Sequence, residues 1–199
     1  KQINLIELGA GNGDMMRILS NTFCKFPHFK NSCNINILEK SDLLKRTQKT
    51  IMKNTKINWL NNLEELNKFP CIFVANEFFD ALPIKQFLKK DKKWYERHVN
   101  FANNKKLEYQ DIPFDMQKFE KQIEFKISHK QTFIEYSPLA IKYLKTIINK
   151  IKFNNGGILI IDYAYIEKEM KNTLQAVSKH KYSNVLNGYR NSDITYNLS

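Results

Sequence analysis

The first part of the chain alternates between short apolar runs and stretches in which apolar residues recur at helical spacing. The run at 3–8 predicts a strand, and a helix is expected to begin at about Asp14. A second strand is predicted at 35–38, followed by a helix that Ser41 caps, and a third strand at 56–60. The predicted buried faces are Met15, Ile18, Leu19 and Phe23 on the first helix and Leu43, Leu44, Thr47 and Ile51 on the second.

The middle of the chain combines two different patterns. The run at 71–75 is continuously apolar, which is typical of a parallel strand that is covered by helices on both faces. From 84 to about 110 the pattern becomes alternating and charged, with breaks at 90–92 and 103–106. This second pattern predicts an antiparallel meander inserted into an α/β order.

Helical spacing returns at Ser137 and Pro138, an N-cap residue followed by proline at the first helical position. The strand at 158–161 is predicted to be fully buried, with Asp162 and Tyr163 at its carboxyl end, where ligands collect in open α/β sheets. The intervening helix is expected to end at Gly156 and Gly157 and to bury Leu139, Tyr143, Leu144, Ile147, Ile148 and Ile151.

Length and composition exclude several classes of protein. With 199 residues, 42% of them hydrophobic, the chain suits one domain with a substantial core or part of a larger one. The net charge of +12 is spread along the sequence, so it indicates a lysine-rich solvated surface rather than a specific nucleic-acid site. No apolar stretch is long enough to predict a membrane span, and no signal-peptide pattern precedes the first strand.

The cysteines and histidines do not predict a metal site. The cysteines contain no CxxC pair, and the histidines never occur at i, i+4 spacing. The cysteine pattern favours a reducing compartment. The residues concerned are Cys24, Cys33, Cys71, His28, His98, His129 and His180.

The loop after the first strand carries glycine at alternate positions, Gly9, Gly11 and Gly13, between Glu7 and Asp14. Such a loop turns sharply and brings its backbone against a ligand, although a strand-to-helix turn without a ligand is an alternative. A dinucleotide fingerprint would need its third glycine at position 14, where this chain has Asp14. The acids Glu7 and Asp14 suit the sulfonium and amino group of S-adenosylmethionine better than a pyrophosphate, so the loop predicts an adenosylmethionine site.

Two further strand ends are predicted to contact the same cofactor. Glu39 ends the second strand, where a carboxylate can accept hydrogen bonds from a ribose diol. The alternative is an acid that stabilises the start of the helix near Ser41. Asn61 and Asn62 follow the third strand, where an adenine contact would fall, and we assign Asn61 to it.

The fourth strand runs into Asn76, Glu77, Phe78, Phe79 and Asp80, which combine polar groups and aromatic rings at a carboxyl strand end. Methyl transfer needs alignment, exclusion of water and control of the nucleophile's proton. Carboxylates such as Glu77 and Asp80 suit a guanidinium acceptor, which they can bind with two hydrogen bonds. The alternatives are an N-cap, a solvated charge and ordinary core packing.

These segments resemble the MidA family of S-adenosylmethionine-dependent methyltransferases, whose mitochondrial members act in respiratory complex I assembly. The match is strongest at 74–87, VANEFFDALPIKQF. It continues, in family order, at ELGAGNGD (7–14), ILEKS (37–41), FIEYSPLA (133–140), GGILIIDYAY (156–165) and the stretch from Thr173 through His180 to Asp193 and Thr195.

The resemblance implies a seven-strand methyltransferase fold and, for the mitochondrial members, symmetric dimethylation of an arginine in a complex I subunit. It implies that Glu7 and the three loop glycines hold the methionine end of the cofactor and that Glu39 holds its ribose. It places Asn76, Glu77 and Asp80 on the cofactor and acceptor side, with Asn76 as a cofactor ligand and Glu77 and Asp80 as catalytic residues.

The chain also departs from the family pattern. Ala164 stands where the family usually has glycine, and Gly188 and Tyr189 replace the usual Pro-Gly of the late loop. The family's N-terminal helical segment and final strand pair have no counterpart here, so we expect a fold truncated at both ends. Uncovered strand edges and helix faces would then cause poor solubility or dependence on a partner fragment.

The expected architecture is therefore α/β: a Rossmann-like class I methyltransferase sheet with helices on both faces and an inserted antiparallel meander. Within one structural domain we expect an adenosylmethionine-binding half at 1–83, an inserted antiparallel or substrate region at 84–132, and a return to the sheet with a late substrate loop at 133–199.

Three functional hypotheses remain open from the sequence. The first is a protein arginine methyltransferase linked to complex I assembly, which would be cytoplasmic in a bacterium and mitochondrial in a eukaryote. The second is a scaffold that retains the fold without turnover. The third is a nucleic-acid methyltransferase. The segment at the end of the fourth strand, NEFF, disfavours it, because enzymes that methylate exocyclic base amines use an NPPY-type segment there. The oligomeric state is not predicted.

Overall fold

The computed structural model describes residues 1–102, 106–188 and 191–199. The predicted break at 103–106 and the family departure at Tyr189 therefore fall largely outside the described residues. The strands are β1 Ile3–Leu8, β2 Cys33–Leu38, β3 Ile57–Leu60, β4 Cys71–Asn76, β5 Lys85–Lys90, β6 Lys93–Phe101, β7 Leu107–Pro113, β8 Phe133–Tyr136, β9 Gly156–Ile161, β10 Gln175–Ser178, β11 Lys181–Ser183 and β12 Asp193–Thr195. The helices are α1 Asp14–Phe23, α2 Pro27–Ser32, α3 Asp42–Ile51, α4 Met116–Ile123, α5 Pro138–Asn154 and α6 Val185–Gly188, and a 3-10 turn spans Leu63–Glu65.

The first of two compact units comprises residues 1–79 and 141–162 and contains a parallel sheet. Its strands lie in the order β3-β2-β1-β4-β9, and every neighbouring pair is parallel. Because strand order reverses between β1 and β4, the carboxyl ends of these two strands form the switch point at which open α/β sheets bind ligands. The predicted α/β architecture is confirmed, with five parallel strands among the described residues.

The sheet core of this unit is built from β1, β2 and β4. On one face of the sheet Leu5, Ile37 and Val74 form a buried cluster with Met16 of α1. Ile6 and Phe73, at the alternate positions of β1 and β4, have no exposed surface either. Strand β1 has the predicted bounds, whereas β2 begins two residues earlier than predicted because Cys33 and Asn34 already pair with β1. Helix α2, which the sequence pattern did not predict, precedes β2.

The predicted buried faces of the first two helices are partly wrong. In α1 Ile18 is 57% exposed, and in α3 Leu43 is 72% exposed and Ile51 is also exposed. The buried positions of α3 and its C-cap are Gln48 and Met52, four residues apart. This stripe contains a glutamine, so a search for apolar periodicity places the buried face incorrectly. The predicted cap is confirmed, since Ser41 Oγ accepts a hydrogen bond from Leu44 N at 3.3 Å.

Helix α5 begins as predicted, because Ser137 Oγ accepts a hydrogen bond from Ala140 N at 3.1 Å. Ile147 is fully buried, but Leu139 and Ile148 are exposed, contrary to the prediction. The helix ends at Asn154, and the next residue, Asn155, has a left-handed φ of 65°. Gly156 instead opens β9, where a Cβ atom would lie 1.8 Å from the Cys71 carbonyl oxygen.

The prediction that β9 is fully buried is wrong. Leu159 is 55% exposed, and Ile160 and Ile161 are exposed as well. The reason is that β9 is an edge strand among the described residues and pairs there with β4 alone. Ile72 of β4 is also exposed, so the expectation that helices cover both faces of β4 is wrong at this residue.

The second unit comprises residues 80–140 and 163–199. Its four-stranded antiparallel sheet, in the order β7-β6-β5-β8, contains the predicted meander. Strand β8 pairs with β5 in this antiparallel sheet. The aromatic rings of Phe87, Phe114 and Phe119 form its core beside Met116 and Ile134.

A buried carboxylate connects this sheet with the following segment of the second unit. Glu135 accepts hydrogen bonds from Gln86 Nε2 at 2.8 Å and from the backbone N–H groups of Thr173 and Leu174 at 3.2 and 3.3 Å. Beyond this segment β10 pairs with β11 and β12 in a small antiparallel sheet that the sequence pattern did not predict. Within the described ranges, none of the helices combines the length and apolarity that crossing a membrane would require.

Candidate cofactor site

The glycine loop continues directly from β1 and is held to the neighbouring strand. Gly9 N donates a hydrogen bond to the Leu38 carbonyl at 2.9 Å, and Gly13 N donates to Ala10 O at 2.7 Å. Gly9, Gly11 and Gly13 have φ values of 64°, 53° and 90°. Such left-handed conformations are strained for residues with a Cβ atom, so the three glycines permit the turn.

Two of these glycines also allow close packing. A Cβ atom on Gly9 would lie 2.7 Å from Phe78 Cδ2, and one on Gly13 would lie 2.8 Å from Met52 Cε. The loop therefore has no room for side chains on the sides that face Phe78 and α3. These two contacts fix the loop against the rest of the protein, whereas a Cβ atom on Gly11 would have nothing within 4 Å, so the loop is open to a ligand at that residue.

Glu7 lies in β1 immediately before the loop and is only 3% exposed. Its Oε2 atom has no hydrogen-bond partner among the described residues. Burial raises the pKa of this carboxyl from its ordinary value of 4.5 to about 7. A buried carboxyl group without a partner is costly, and a cationic ligand would remove that cost.

Glu39, directly after β2, is also buried, with 7% exposure, but its carboxylate already accepts several hydrogen bonds. Oε1 accepts from the backbone N–H groups of Lys40 and Ser41 at 2.8 and 2.9 Å. Oε2 accepts from Gln48 Nε2 at 3.2 Å. A carboxylate has about four lone-pair positions, so Glu39 retains capacity for roughly one more donor.

The remaining predicted cofactor residues are exposed. Asp14 is the first residue of α1 and forms an ion pair with Arg17 at 3.3 Å. A negative charge at this position stabilises the N-terminus of a helix. Asn61 follows β3, and its side-chain oxygen accepts a hydrogen bond from Lys45 Nζ at 3.4 Å. Asn76 is the last residue of β4. Their assigned roles remain predictions.

The turn after β4 is strained at Glu77, which has a φ of 48° although it is not a glycine. The Glu77 backbone N–H donates to Ile161 O at 2.8 Å, and Phe79 N donates to Asp162 Oδ2 at 3.0 Å. Phe78 packs edge-on against Phe79 and against Tyr143. The end of β9 therefore holds the turn in place and leaves the Glu77 side chain exposed.

Asp80, the other predicted catalytic carboxylate, is the first residue of the second unit. Its side chain is buried, and its carbonyl oxygen accepts a hydrogen bond from Tyr196 N at 3.1 Å. Within the second unit this bond connects Asp80 with Tyr196, the residue that follows β12.

Two residues of the first unit contribute to the candidate site and are absent from the predicted set. The sequence identifies Asp162 only as a polar residue at a strand end, and it gives no indication that Gln48, within α3, is buried. A polar residue on the buried face of an amphipathic helix would have been a usable signal for Gln48. Across 1–102, 106–188 and 191–199, no cluster of three or more His, Cys, Asp or Glu residues could hold a metal ion.

S-adenosylmethionine fits this set of residues. The ammonium group of its methionine end suits the buried Glu7, a ribose hydroxyl suits the remaining lone pair of Glu39, and the loop is open at Gly11, where a Cβ atom would have nothing within 4 Å.

Comparison with known proteins agrees with this geometry. A sequence profile of a family of S-adenosyl-L-methionine-dependent methyltransferases matches residues 1–199. The chain belongs to this family. Its cofactor is therefore S-adenosyl-L-methionine, as the glycine loop predicts, and the resemblance drawn from the motifs is confirmed.

Individual curated relatives share limited sequence identity with the chain. The mitochondrial protein arginine methyltransferase NDUFAF7 homolog of Caenorhabditis elegans is 25% identical over 213 residues, covering 96% of this chain and 50% of that protein. Human mitochondrial protein arginine methyltransferase NDUFAF7 is 23% identical over 217 residues, covering 96% of this chain and 48% of that protein. The chain thus spans about half the length of these relatives.

A solved structure supports the fold. The crystal structure of a COG1565 superfamily member from Burkholderia thailandensis, bound to S-adenosyl-homocysteine, matches with a TM-score of 0.80 at 18% identity. The match covers 100% of this chain and 53% of that protein.

Proposed function

We propose that the chain contributes the catalytic core of an S-adenosylmethionine-dependent protein arginine methyltransferase. The observation that carries this proposal is the left-handed backbone of Glu77, at the carboxyl end of β4 beside the switch point of the sheet. Other non-glycine residues of the chain are also left-handed, such as Asp91 and Lys92 in the turn between β5 and β6, so Glu77 is distinguished by its place beside the switch point. The names of the relatives support arginine as the acceptor.

The residues at the ends of β1, β2 and β3 bind and orient the cofactor in this proposal. Glu7 and the glycine loop hold the methionine end, Glu39 holds the ribose, and Asn61 contacts the adenine. Asp14 adds negative charge beside the loop, and Asn76 contacts the cofactor from the end of β4. When bound, S-adenosylmethionine supplies a methyl group that its sulfonium already activates.

Glu77 and Asp80 act on the acceptor. A guanidinium is protonated at neutral pH, and a carboxylate binds it with two parallel hydrogen bonds that fix its plane. In this proposal the attacking nitrogen loses a proton as its bond to the methyl carbon forms and the bond between that carbon and the sulfonium sulfur breaks, and one of the two carboxylates would accept the proton. Phe78 and Phe79 pack edge-on directly after Glu77, so an apolar aromatic pair lies next to this exposed carboxylate in the chain.

We further propose a subunit of respiratory complex I as the acceptor, on the basis of the MidA resemblance. The curated relatives are named as mitochondrial proteins, which supports a mitochondrial location if the source is eukaryotic. A cytoplasmic location is proposed if the source is bacterial.

The proposal can be tested with labelled S-adenosylmethionine, the complex I subunits of the source organism and peptide mass spectrometry. The wild-type protein should label arginine, whereas Glu77→Gln should lower kcat by about 100-fold or more, in the range of general acid–base effects. Glu108→Gln, which changes an exposed glutamate on β7, is the matched control and should retain activity. Cofactor binding without any arginine labelling would favour a scaffold, and labelling of RNA instead would favour a nucleic-acid methyltransferase.

A further inference from the structure

Gln48 is a fully buried polar residue in the middle of α3, with 0% of its surface exposed. Its Nε2 atom donates hydrogen bonds to the Gly11 carbonyl at 2.8 Å and to Glu39 Oε2 at 3.2 Å. Its Oε1 atom accepts a hydrogen bond from Trp59 Nε1 at 2.9 Å. One side chain therefore connects the glycine loop, the end of β2 and strand β3.

The indole of Trp59 determines which way the Gln48 amide faces. An indole N–H can only donate, so the amide oxygen must face Trp59 and the amide NH2 group must face the other two partners. Both partners, the Gly11 carbonyl and the Glu39 carboxylate, are acceptors that need this donor. The orientation of the amide thus follows from the network itself.

Gln48 also packs against the loop. A Cβ atom on Gly13 would lie 3.2 Å from Gln48 Cγ, next to the contact that it would make with Met52 Cε. Helix α3 consequently restrains the loop through both a hydrogen bond at Gly11 and direct packing at Gly13. The same helix begins next to Glu39, whose Oε1 atom is held by the N–H groups of Lys40 and Ser41.

We propose that Gln48 is a positioning residue for the cofactor, which fixes the glycine loop and the Glu39 carboxylate relative to each other. By occupying one position on Oε2, it determines which lone pair of Glu39 remains for a ribose hydroxyl. This inference rests on the proposed assignment of Glu39 to the ribose. Buried groups that orient a ligand-binding residue typically contribute 10- to 100-fold in affinity at metal sites, and we expect an effect at the lower end of that range.

The test compares the binding of S-adenosylhomocysteine with that of its 2′-deoxy analogue by calorimetry. Wild-type protein should bind the analogue about 10-fold more weakly, which corresponds to one lost hydrogen bond to a charged group. Gln48→Met keeps the length of the side chain but removes its hydrogen bonds. It should weaken S-adenosylhomocysteine binding about 10-fold and reduce the preference over the analogue to about 2-fold. Gln117→Met on the exposed face of α4 is the matched control and should change neither value.

A second variant covers the case in which Gln48→Met fails to fold. Trp59→Phe removes the N–H that orients the amide but leaves Gln48 in place, and it should lower both the affinity and the preference a few-fold. If either folded variant weakens both ligands equally and keeps the wild-type preference, Gln48 has only a structural role and the proposal is overturned. If wild-type protein itself shows no preference, the assignment of Glu39 to the ribose fails instead.

Discussion

The carboxyl ends of β1 and β2 lie side by side in the parallel sheet, and each carries a buried glutamate in a different environment. Glu39 accepts hydrogen bonds from two backbone N–H groups and from Gln48, so its carboxylate is stabilised before any ligand arrives. Glu7 has an oxygen without a partner among the described residues and a pKa raised to about 7 by burial. The difference matches the chemistry that we assign to each end, a cation at Glu7 and a neutral ribose at Glu39.

This contrast has an energetic consequence. The raised pKa of Glu7 means that the folded protein binds its proton more tightly than the unfolded chain does. The protein is therefore most stable below about pH 4.5 with respect to this group, and that stability is lost as the pH rises through about 7. The uncompensated carboxylate lowers folding stability at neutral pH, and binding of a cationic ligand would restore it.

The largest expected effect is on the ligand-free protein. Glu7→Gln should stabilise it at pH 8 by up to about 3 kcal/mol, because the neutral amide avoids the cost of a buried charge. At pH 5 the variant and the wild type should have similar free energies of unfolding. Urea denaturation at both pH values measures this, with Glu108→Gln as the control. An equal difference at the two pH values would contradict the assignment of the raised pKa to Glu7.

The same substitution should weaken the cofactor site. Glu7→Gln is expected to raise the Kd of S-adenosylhomocysteine by about 10- to 100-fold at pH 8, because a hydrogen bond to a charged partner contributes roughly 1.5–3 kcal/mol. Isothermal titration calorimetry gives the Kd directly. A variant that is more stable and yet binds as tightly as the wild type would show that the cationic end of the cofactor lies elsewhere.

Glu39→Gln should affect stability in the opposite direction. The amide oxygen can still accept from the backbone, but the new NH2 group faces the NH2 group of Gln48, so one buried hydrogen bond is lost. We expect a loss of about 1–2 kcal/mol in the free energy of unfolding. Stabilisation by Glu39→Gln would mean that the two carboxylates do not differ as described.

The smallest expected effect concerns the cap of α3. Ser41→Ala removes the side-chain oxygen to which Leu44 N donates, which should lower the free energy of unfolding by about 1 kcal/mol. It keeps the backbone N–H of residue 41, which donates to Glu39 Oε1. Cofactor affinity should therefore stay within about 2-fold of the wild type. Thr50→Ala, on the exposed side of α3, is the control for stability. A large loss of affinity in Ser41→Ala would show that Glu39 depends on the cap rather than on its own hydrogen bonds.

Local chemistry allowed much of this region to be predicted from the sequence. The strand bounds of β1, the caps at Ser41 and Ser137 and the alternate glycines all depend on residues that are close in the chain. The cofactor followed from Asp14 at the position where a dinucleotide motif needs glycine. What could not be predicted depends on distant neighbours. The partners of Gln48 are 37 residues away at Gly11 and 11 residues away at Trp59.

The errors in the predicted burial of side chains also arise because burial depends on neighbours that are distant in the sequence. The apolar run at 158–161 does not indicate whether a neighbouring strand covers it, and β9 proves to be an edge strand among the described residues. Similarly, the pattern of β8 does not reveal that it pairs with β5. The roles of Glu77 and Asp80 rest on the resemblance and on the strained turn at Glu77, so they remain predictions.

The central claim is that Glu7 gives up a proton to bind the cationic end of the cofactor. Calorimetric titration of S-adenosylhomocysteine at pH 6.5, in two buffers with different ionisation enthalpies, counts the protons released on binding. A carboxyl with a pKa of about 7 is mostly protonated at that pH, so the wild type should release most of one proton and Glu7→Gln should release none. An equal proton count for the two proteins would contradict the claim.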